Sequence, residues 1–288
     1  MVNEGAFEHI KIRYLFLWSM VFLIIMVSLY MVITPLIPVA EVDVAAGILF
    51  YVFISLWIIW NFNRVPLDYS KFFGHLPLNF NWTYLIIITF GVIILSLGLG
   101  ELSRYFLFII DPNILNELPY TGIFYSSNDT PLAPFINYIE FFVAVIIAPI
   151  VEEILFRGVI LHRFTIKWGV KWAILVSSII FAFLHTDIIG AFIFGVVMCI
   201  LYIKTASILV PVVAHIINNL LAYGLEIMIT FSPWNMLASH SLETAILLLT
   251  ISGIIIMYFL IKNWPQRYWR PPYFQDVYDG IPENIYYN

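Results

Sequence analysis

Charge is what this 288-residue chain has least of: Asp, Glu, Lys and Arg together make up 11% of it, against roughly 25% in a soluble domain. Once several spans of about 20 residues each are counted, the length leaves no room for a large water-soluble domain. Cysteine is nearly absent as well. Cys199 is the only one, so no intrachain disulfide exists and cysteine usage does not report the redox compartment. Flanked by Met198 and Ile200, with no base near it in sequence, Cys199 reads as an inert buried thiol rather than a nucleophile. Internal repeats and low-complexity tracts are also missing, which excludes solenoid and linker-rich architectures.

Apolar residues fill the gap. They make up 62% of the chain, aromatics 18%, and the mean hydropathy is +0.96. These values predict an all-α, polytopic transmembrane helix bundle of about eight spans, a single integral membrane domain over 1–288. The apolar segments are Tyr14–Thr34, Val44–Trp60, Trp82–Gly98, Phe135–Leu161, Trp172–Leu184, Ile188–Ile203, Ile208–Ile229 and Thr244–Ile261. The first is too long for a signal peptide and is followed by further spans, so it reads as a transmembrane helix. Between the third and fourth lies a loop, Glu101 to Leu132, whose piece Tyr105–Ile110 either extends the third helix or lies in the interface. Residues 264–288 form an aromatic and Pro-rich cytoplasmic tail, expected at the headgroup level through Trp264, Tyr268, Trp269, Tyr273 and Phe274.

Basic residues orient the bundle. Lys11, Arg13, Arg64, Lys71, Arg163, Lys167, Lys171, Lys204, Lys262, Arg267 and Arg270 fall on one side of the eight spans, and the opposite loops carry only Arg104. Positive residues mark the cytoplasmic side, so both termini are expected in the cytoplasm, at the plasma membrane if the source is prokaryotic. The opposite loops receive Glu41, Asp43, Asp111, Glu117, Asp129 and Glu243.

Ionisable residues also lie inside the spans. Ala148-Pro149-Ile150-Val151-Glu152-Glu153-Ile154-Leu155-Phe156-Arg157-Gly158 puts two carboxylates and an arginine in the fourth span, where each charge costs at least ~2.5–3.5 kcal/mol. Glu153 and Arg157 are one helical turn apart with the acid first, the favoured order for an ion pair. Glu152 points about 100° away and has no basic residue at i+3 or i+4. One glutamate reads as structural and the other as free for chemistry. Pro149 cannot donate to the carbonyl of Val145, which predicts a kink or loosened turn just before the acid pair.

Three further polar positions converge on the same depth. His185 ends the fifth span, and the seventh carries His215 and Asn219 one turn apart on a shared face. Counted from Arg163, Lys204 and Lys171 at about 1.5 Å per residue, Glu152 and His215 lie about 16 Å deep and His185 about 21 Å. All three fall near the middle of a ~30 Å hydrocarbon core. The short fifth and sixth spans put the turn His185-Thr186-Asp187 below the far surface, where it is expected to be buried in protein. Ala191, Gly195 and Cys199 form a small-residue face for helix packing. The loops beside the motif helices carry Arg163, Lys167, Lys171 and Lys204, so the cavity is expected to open on that basic side.

As a set these residues resemble the membrane-embedded CAAX protease and bacteriocin-processing (CPBP, or Abi) family, which includes the Ras-converting type of CAAX endopeptidase. Its pattern is Glu-Glu-x-x-x-Arg, then Phe-x-x-x-His, then His-x-x-x-Asn or Asp. Here it reads Glu152-Glu153 with Arg157, Phe181 with His185, and His215 with Asn219, over about Phe135 to Tyr223. The first three spans and the eighth carry no matching motif. The resemblance implies an intramembrane endopeptidase acting on a membrane-bound or lipidated peptide or protein through glutamate-activated water. Glu152 would be the general base, His185 would help hold the water, His215 and Asn219 would bind the oxyanion, and Glu153 with Arg157 would brace the site. It implies no cofactor and no metal, and no nucleic-acid partner is expected, only substrate and the lipid bilayer.

Other mechanisms and other functions are weighed against this one. His-Glu-x-x-His is missing, although Glu152, His185 and His215 are in principle able to ligate a metal. Gly-x-Ser-Gly is missing too, and Gly98-Leu99-Gly100-Glu101 is a near miss to Gly-x-Gly-Asp with no second Asp in any span. A non-catalytic scaffold or bacteriocin-immunity protein of the same fold stays open, as does an ion-coupled transporter, for which paired broken helices and repeated halves are not seen.

Overall fold

Runs of some 20 apolar residues leave the backbone one way to satisfy its hydrogen bonds in lipid, the helix, and the computed structural model of the chain follows it. The structure describes residues 5–78, 80–113, 124–231, 241–266 and 269–274, and every regular element among them is helical. A short α1 (Gly5–His9) leads into α2 (Ile12–Ile33) and α3 (Val39–Phe62). Then come α4 (Tyr69–Phe73), α5 (Trp82–Ile110) and α6, which runs over 133–168. They are followed by α7 (Val170–Ala182), α8 (Ile188–Thr205), α9 (Leu209–Phe231), α10 (Leu242–Asn263) and a 3-10 turn, Pro272–Phe274. Glu117, Arg267, Tyr268, residues 114–123 of the expected loop and the tail from 275 onward lie outside the described residues.

The eight long helices match the eight expected segments, and the chain is an integral membrane protein. Six are long and apolar enough to cross a membrane. Of the other two, α7 has 13 residues and α6 alternates between α and π geometry. The third segment does not stop at Gly98: α5 continues through Tyr105–Ile110, because nothing before Asp111 breaks it and Arg104 bonds Glu101 one turn back at 2.6 Å.

The bundle is built around α8. From Val196 to Ile203 no residue of that helix is more than 4% exposed, so it is apolar all round, as a central helix must be. The small-residue face does what was expected: a Cβ on Gly195 would sit 3.0 Å from the Ser178 Cβ of α7. Cys199 is fully buried there. Helix α5 packs along α10, α7 lies between α6 and α8, and α2 rests at the periphery on α3.

At the end carrying Arg64, Lys71, Arg163, Lys167 and Lys204, aromatic rings seal the core. Phe7 of α1 stacks on His162 at 4.6 Å, and Phe72 of α4 meets Phe62 edge-on at 5.0 Å. Phe7, Phe72, His162 and Tyr202 are all fully buried. Tyr273 and Phe274 join them at 3% exposure. The start of the tail, expected at the headgroup level, therefore lies inside the protein at these two rings.

Candidate active site

Helix α6 reaches the site through two departures from α geometry. Val143–Ile147 and Ile154–Ile160 are π-helical, flanking the α segment Ala148–Glu153. In the first, Ala148 N–H donates to Val143 O, and the next donor in that register would be Pro149, which has no N–H. Ala144 O is thereby left open, not Val145 O as α spacing predicted, and Asn219 Nδ2 of α9 donates to it at 2.8 Å. In the second, Leu161 N–H donates to Phe156 O, and the return to α register skips the carbonyl of Arg157. His162 Nδ1 lies 3.1 Å from it. Each irregular turn is thus closed by a polar side chain.

The two glutamates have separate environments. Glu153 is fully buried, and its Oε1 accepts from Arg157 Nη1 at 2.7 Å and from His215 Nδ1 at 2.8 Å. The Arg157 guanidinium lies over the Phe181 ring at 4.8 Å, and its Nη2 donates to Gly195 O at 3.4 Å. The expected pair is present, and His215 is a third member that spacing within one helix could not reveal. Glu152 is half-buried, its side chain 15% exposed, and its partner comes from α3: Tyr51 O–H donates to Oε1 at 2.7 Å. Oε2 has no hydrogen-bond partner among the described residues and lies 3.9 Å from His215 Nε2.

Hydrogen bonding assigns the tautomers. His215 Nδ1 faces a carboxylate and His185 Nδ1 faces Phe181 O at 2.8 Å. Both acceptors require N–H at Nδ1, which leaves Nε2 of each neutral ring with a free lone pair. Asn219 Oδ1 accepts from Asn218 Nδ2 at 3.2 Å while its own Nδ2 meets a carbonyl, so its second N–H remains to be given.

A cavity of about 190 Å³ lies beside these groups, lined by His185, Thr186, Asp187, His215, Asn218 and Asn219 together with apolar and small residues of α5, α7 and α8. His185, His215 and Asn219 share this wall. Glu152 does not line it and is reached across His215. The turn His185-Thr186-Asp187 is not buried in protein: Thr186 is exposed, and so are the flanking Phe183 at 72% and Leu184 at 60%. Non-helical backbone is accommodated here because it lines an open cavity. That cavity lies at mid-depth in the bundle: Val92 and Ser96 are near the middle of α5, and Asn218 and Asn219 near the middle of α9.

Among the described residues no group of three or more His, Cys, Asp and Glu is placed to hold a metal ion. Tyr51 is the contributor that motif reading missed. It lies 101 residues before Glu152, and its one sequence signal is a hydroxyl within an apolar span.

Comparison with known proteins agrees with the resemblance carried by the motifs. Residues 134–221 match the family model described as type II CAAX prenyl endopeptidase Rce1-like. A Bacillus subtilis (strain 168) protein named "Putative membrane peptidase YdiL" is 30% identical over 135 residues, 43% of this chain and 55% of that protein. The chain thus spans about half the length of the curated relative it matches. No solved structure matches it. At the level of the family, the chain is similar to membrane proteases.

Proposed function

We propose that the chain is an intramembrane endopeptidase that hydrolyses a peptide bond of a membrane-bound or lipidated polypeptide with water activated by Glu152. The observation that carries the reading is the state of that carboxylate: Oε1 is held by Tyr51, while Oε2 is unpartnered and 3.9 Å from His215 Nε2. That oxygen is buried as it stands, so the attacking water reaches it as substrate enters and the site opens. Glu152 takes a proton from the water as its oxygen bonds to the substrate carbonyl carbon, the carbonyl π pair moves to oxygen, and Glu152 then passes the proton to the leaving amine as the C–N bond breaks. The free N–H of Asn219 is one donor for the oxyanion, and His215 Nε2 is the second when that ring is protonated. His185 Nε2 accepts the water's second O–H, the first going to Glu152 Oε2. Glu153 and Arg157 fix the His215 ring from behind, as second partners of catalytic imidazoles commonly do.

The test is hydrolysis by purified protein in liposomes of a membrane-peptide mixture, followed by mass spectrometry of new termini. New termini should appear with the native protein and vanish with Glu152→Gln. Termini that persist in the variant would overturn the glutamate-base mechanism. None from either protein would favour a scaffold or transporter.

A further inference from the structure

We infer that His162 is a positioning residue of the site, through which the Pro272–Phe274 turn holds Arg157, Glu153 and His215 in register; the inference rests on the endopeptidase reading above. His162 stands ten residues beyond Glu152 on α6, roughly 15 Å along the helix, too far to touch the reacting groups. Its ring is fully buried, and both of its nitrogens are engaged. Nδ1 lies 3.1 Å from Arg157 O, the carbonyl that the second π turn leaves without a helical donor. A carbonyl there requires N–H at Nδ1, so Nε2 carries the lone pair, and Tyr273 N–H donates to it at 3.4 Å. The imidazole thus links the backbone of the Pro272–Phe274 turn to the wide turn of α6.

Aromatic packing holds the ring in that pose. Phe7 of α1 stacks on it at 4.6 Å with the planes 13° apart, and Phe274 meets it edge-on at 5.1 Å. Tyr273 anchors its own turn: its hydroxyl oxygen accepts from Asp68 N–H at 3.1 Å, at the start of α4. Arg157 is where this clamp reaches the site. Its carbonyl meets His162, its guanidinium meets Glu153 Oε1 at 2.7 Å, and that same oxygen accepts from His215 Nδ1 at 2.8 Å. A π turn holds one residue more than the α turn it replaces. If that residue slips out of register, the helix before it rotates about 100° against the helix after it, and Arg157 leaves Glu153. The bond from His162 fixes which carbonyl the wide turn exposes, and so keeps the guanidinium, Glu153 and the His215 ring aligned.

Two substitutions separate the hydrogen bond from the ring. His162→Asn keeps an N–H where Nδ1 stands and loses the ring, while His162→Phe keeps a ring against Phe7 and loses both hydrogen bonds. On a peptide cleaved by the native protein, His162→Asn should keep kcat near native. His162→Phe should lower it by ~10²-fold with KM unchanged, the cost of a misplacement of about 1 Å. Equal losses, or the opposite order, would mean that the ring only fills space and would overturn the inference. Tyr273→Ala with Phe274→Ala should match the loss in His162→Phe, and combining all three should add little to it; losses that multiply would overturn the link to the Pro272–Phe274 turn. A second readout needs no cleavage. In protein carrying isotope-labelled histidine, the His215 Nδ1 proton, held by a carboxylate, gives a downfield resonance assigned by its disappearance in His215→Gln. That resonance should hold its place in His162→Asn and shift or broaden in His162→Phe. An unmoved resonance in His162→Phe would overturn the inference even if no peptide is cut, so its failure and that of the endopeptidase reading are told apart. If His162→Phe fails to fold, the Tyr273→Ala, Phe274→Ala protein reads the same resonance.

Discussion

Replacing Glu153 by Gln removes the one charge that, among the described residues, pairs with Arg157. The two side chains are 0% and 1% exposed and 2.7 Å apart. Without the carboxylate, the guanidinium keeps Gly195 O at 3.4 Å and the faces of Phe181, Phe156 and Phe194 at 4.8, 5.9 and 5.9 Å, while its Nε has no partner among the described residues. Breaking a buried pair by removing one partner costs about 3–5 kcal/mol. The Gln carbonyl still accepts from Arg157 and His215, which sets the lower end, about 3 kcal/mol. At ~2–4 °C per kcal/mol, Glu153→Gln should lower the melting temperature in detergent by roughly 6–12 °C. Glu152→Gln is a contrasting change at the neighbouring position. Its side chain is 15% exposed and the amide oxygen still accepts from Tyr51, so stability should stay within about 1 kcal/mol of native. Arg157→Met added to Glu153→Gln should recover part of the loss by removing the stranded charge. The assay is thermal unfolding of the four purified proteins. Equal melting temperatures for Glu152→Gln and Glu153→Gln would refute the division of labour between the two carboxylates.

Tyr51→Phe removes one hydrogen bond to a carboxylate, worth about 1.5–3 kcal/mol, and should lower kcat by roughly 10-fold or more while KM and melting temperature hold. A rise in KM alone would mean that Tyr51 touches substrate instead. Asn219→Ala should lower turnover by ~10²–10³, the loss that follows removal of an oxyanion donor, and the purified variant's steady-state rate checks it. It also strands Ala144 O, so its melting temperature should fall along with its rate. Activity should survive a strong chelator, with less than stoichiometric zinc by elemental analysis. Activity lost to the chelator and restored by a divalent ion would refute the water-only mechanism.

The spans, the pairing of Glu153 with Arg157 and the shared face of His215 and Asn219 were legible in the chain because each is a short-range property. Hydropathy over ~20 residues decides what crosses lipid, and 3.6-residue periodicity decides which side chains on one helix meet. Depth counting also put His185 and His215 within reach of one cavity, because α7 and α9 start beside basic residues, Lys171 and Lys204, at a common level. The same counting failed for the turn at His185: it measured depth and said nothing of whether protein or open space lay beside the backbone.

Contacts between helices were decided only by the tertiary structure. Tyr51 reaches Glu152 across 101 residues and His215 reaches Glu153 across 62, and neither contact leaves a pattern in sequence. They depend on how two rigid helices rotate and slide against each other, which is set by packing such as Gly195 against Ser178. The π turns of α6 belong to the same class. Pro149 announces that a carbonyl will go unpaired, but the register that makes it Ala144, and the arrival of Asn219 to meet it, come from α9 lying alongside. By itself the chain determined which polar groups must lie in the membrane. Packing of the helices determined which of them touch and which oxygen of Glu152 stays free.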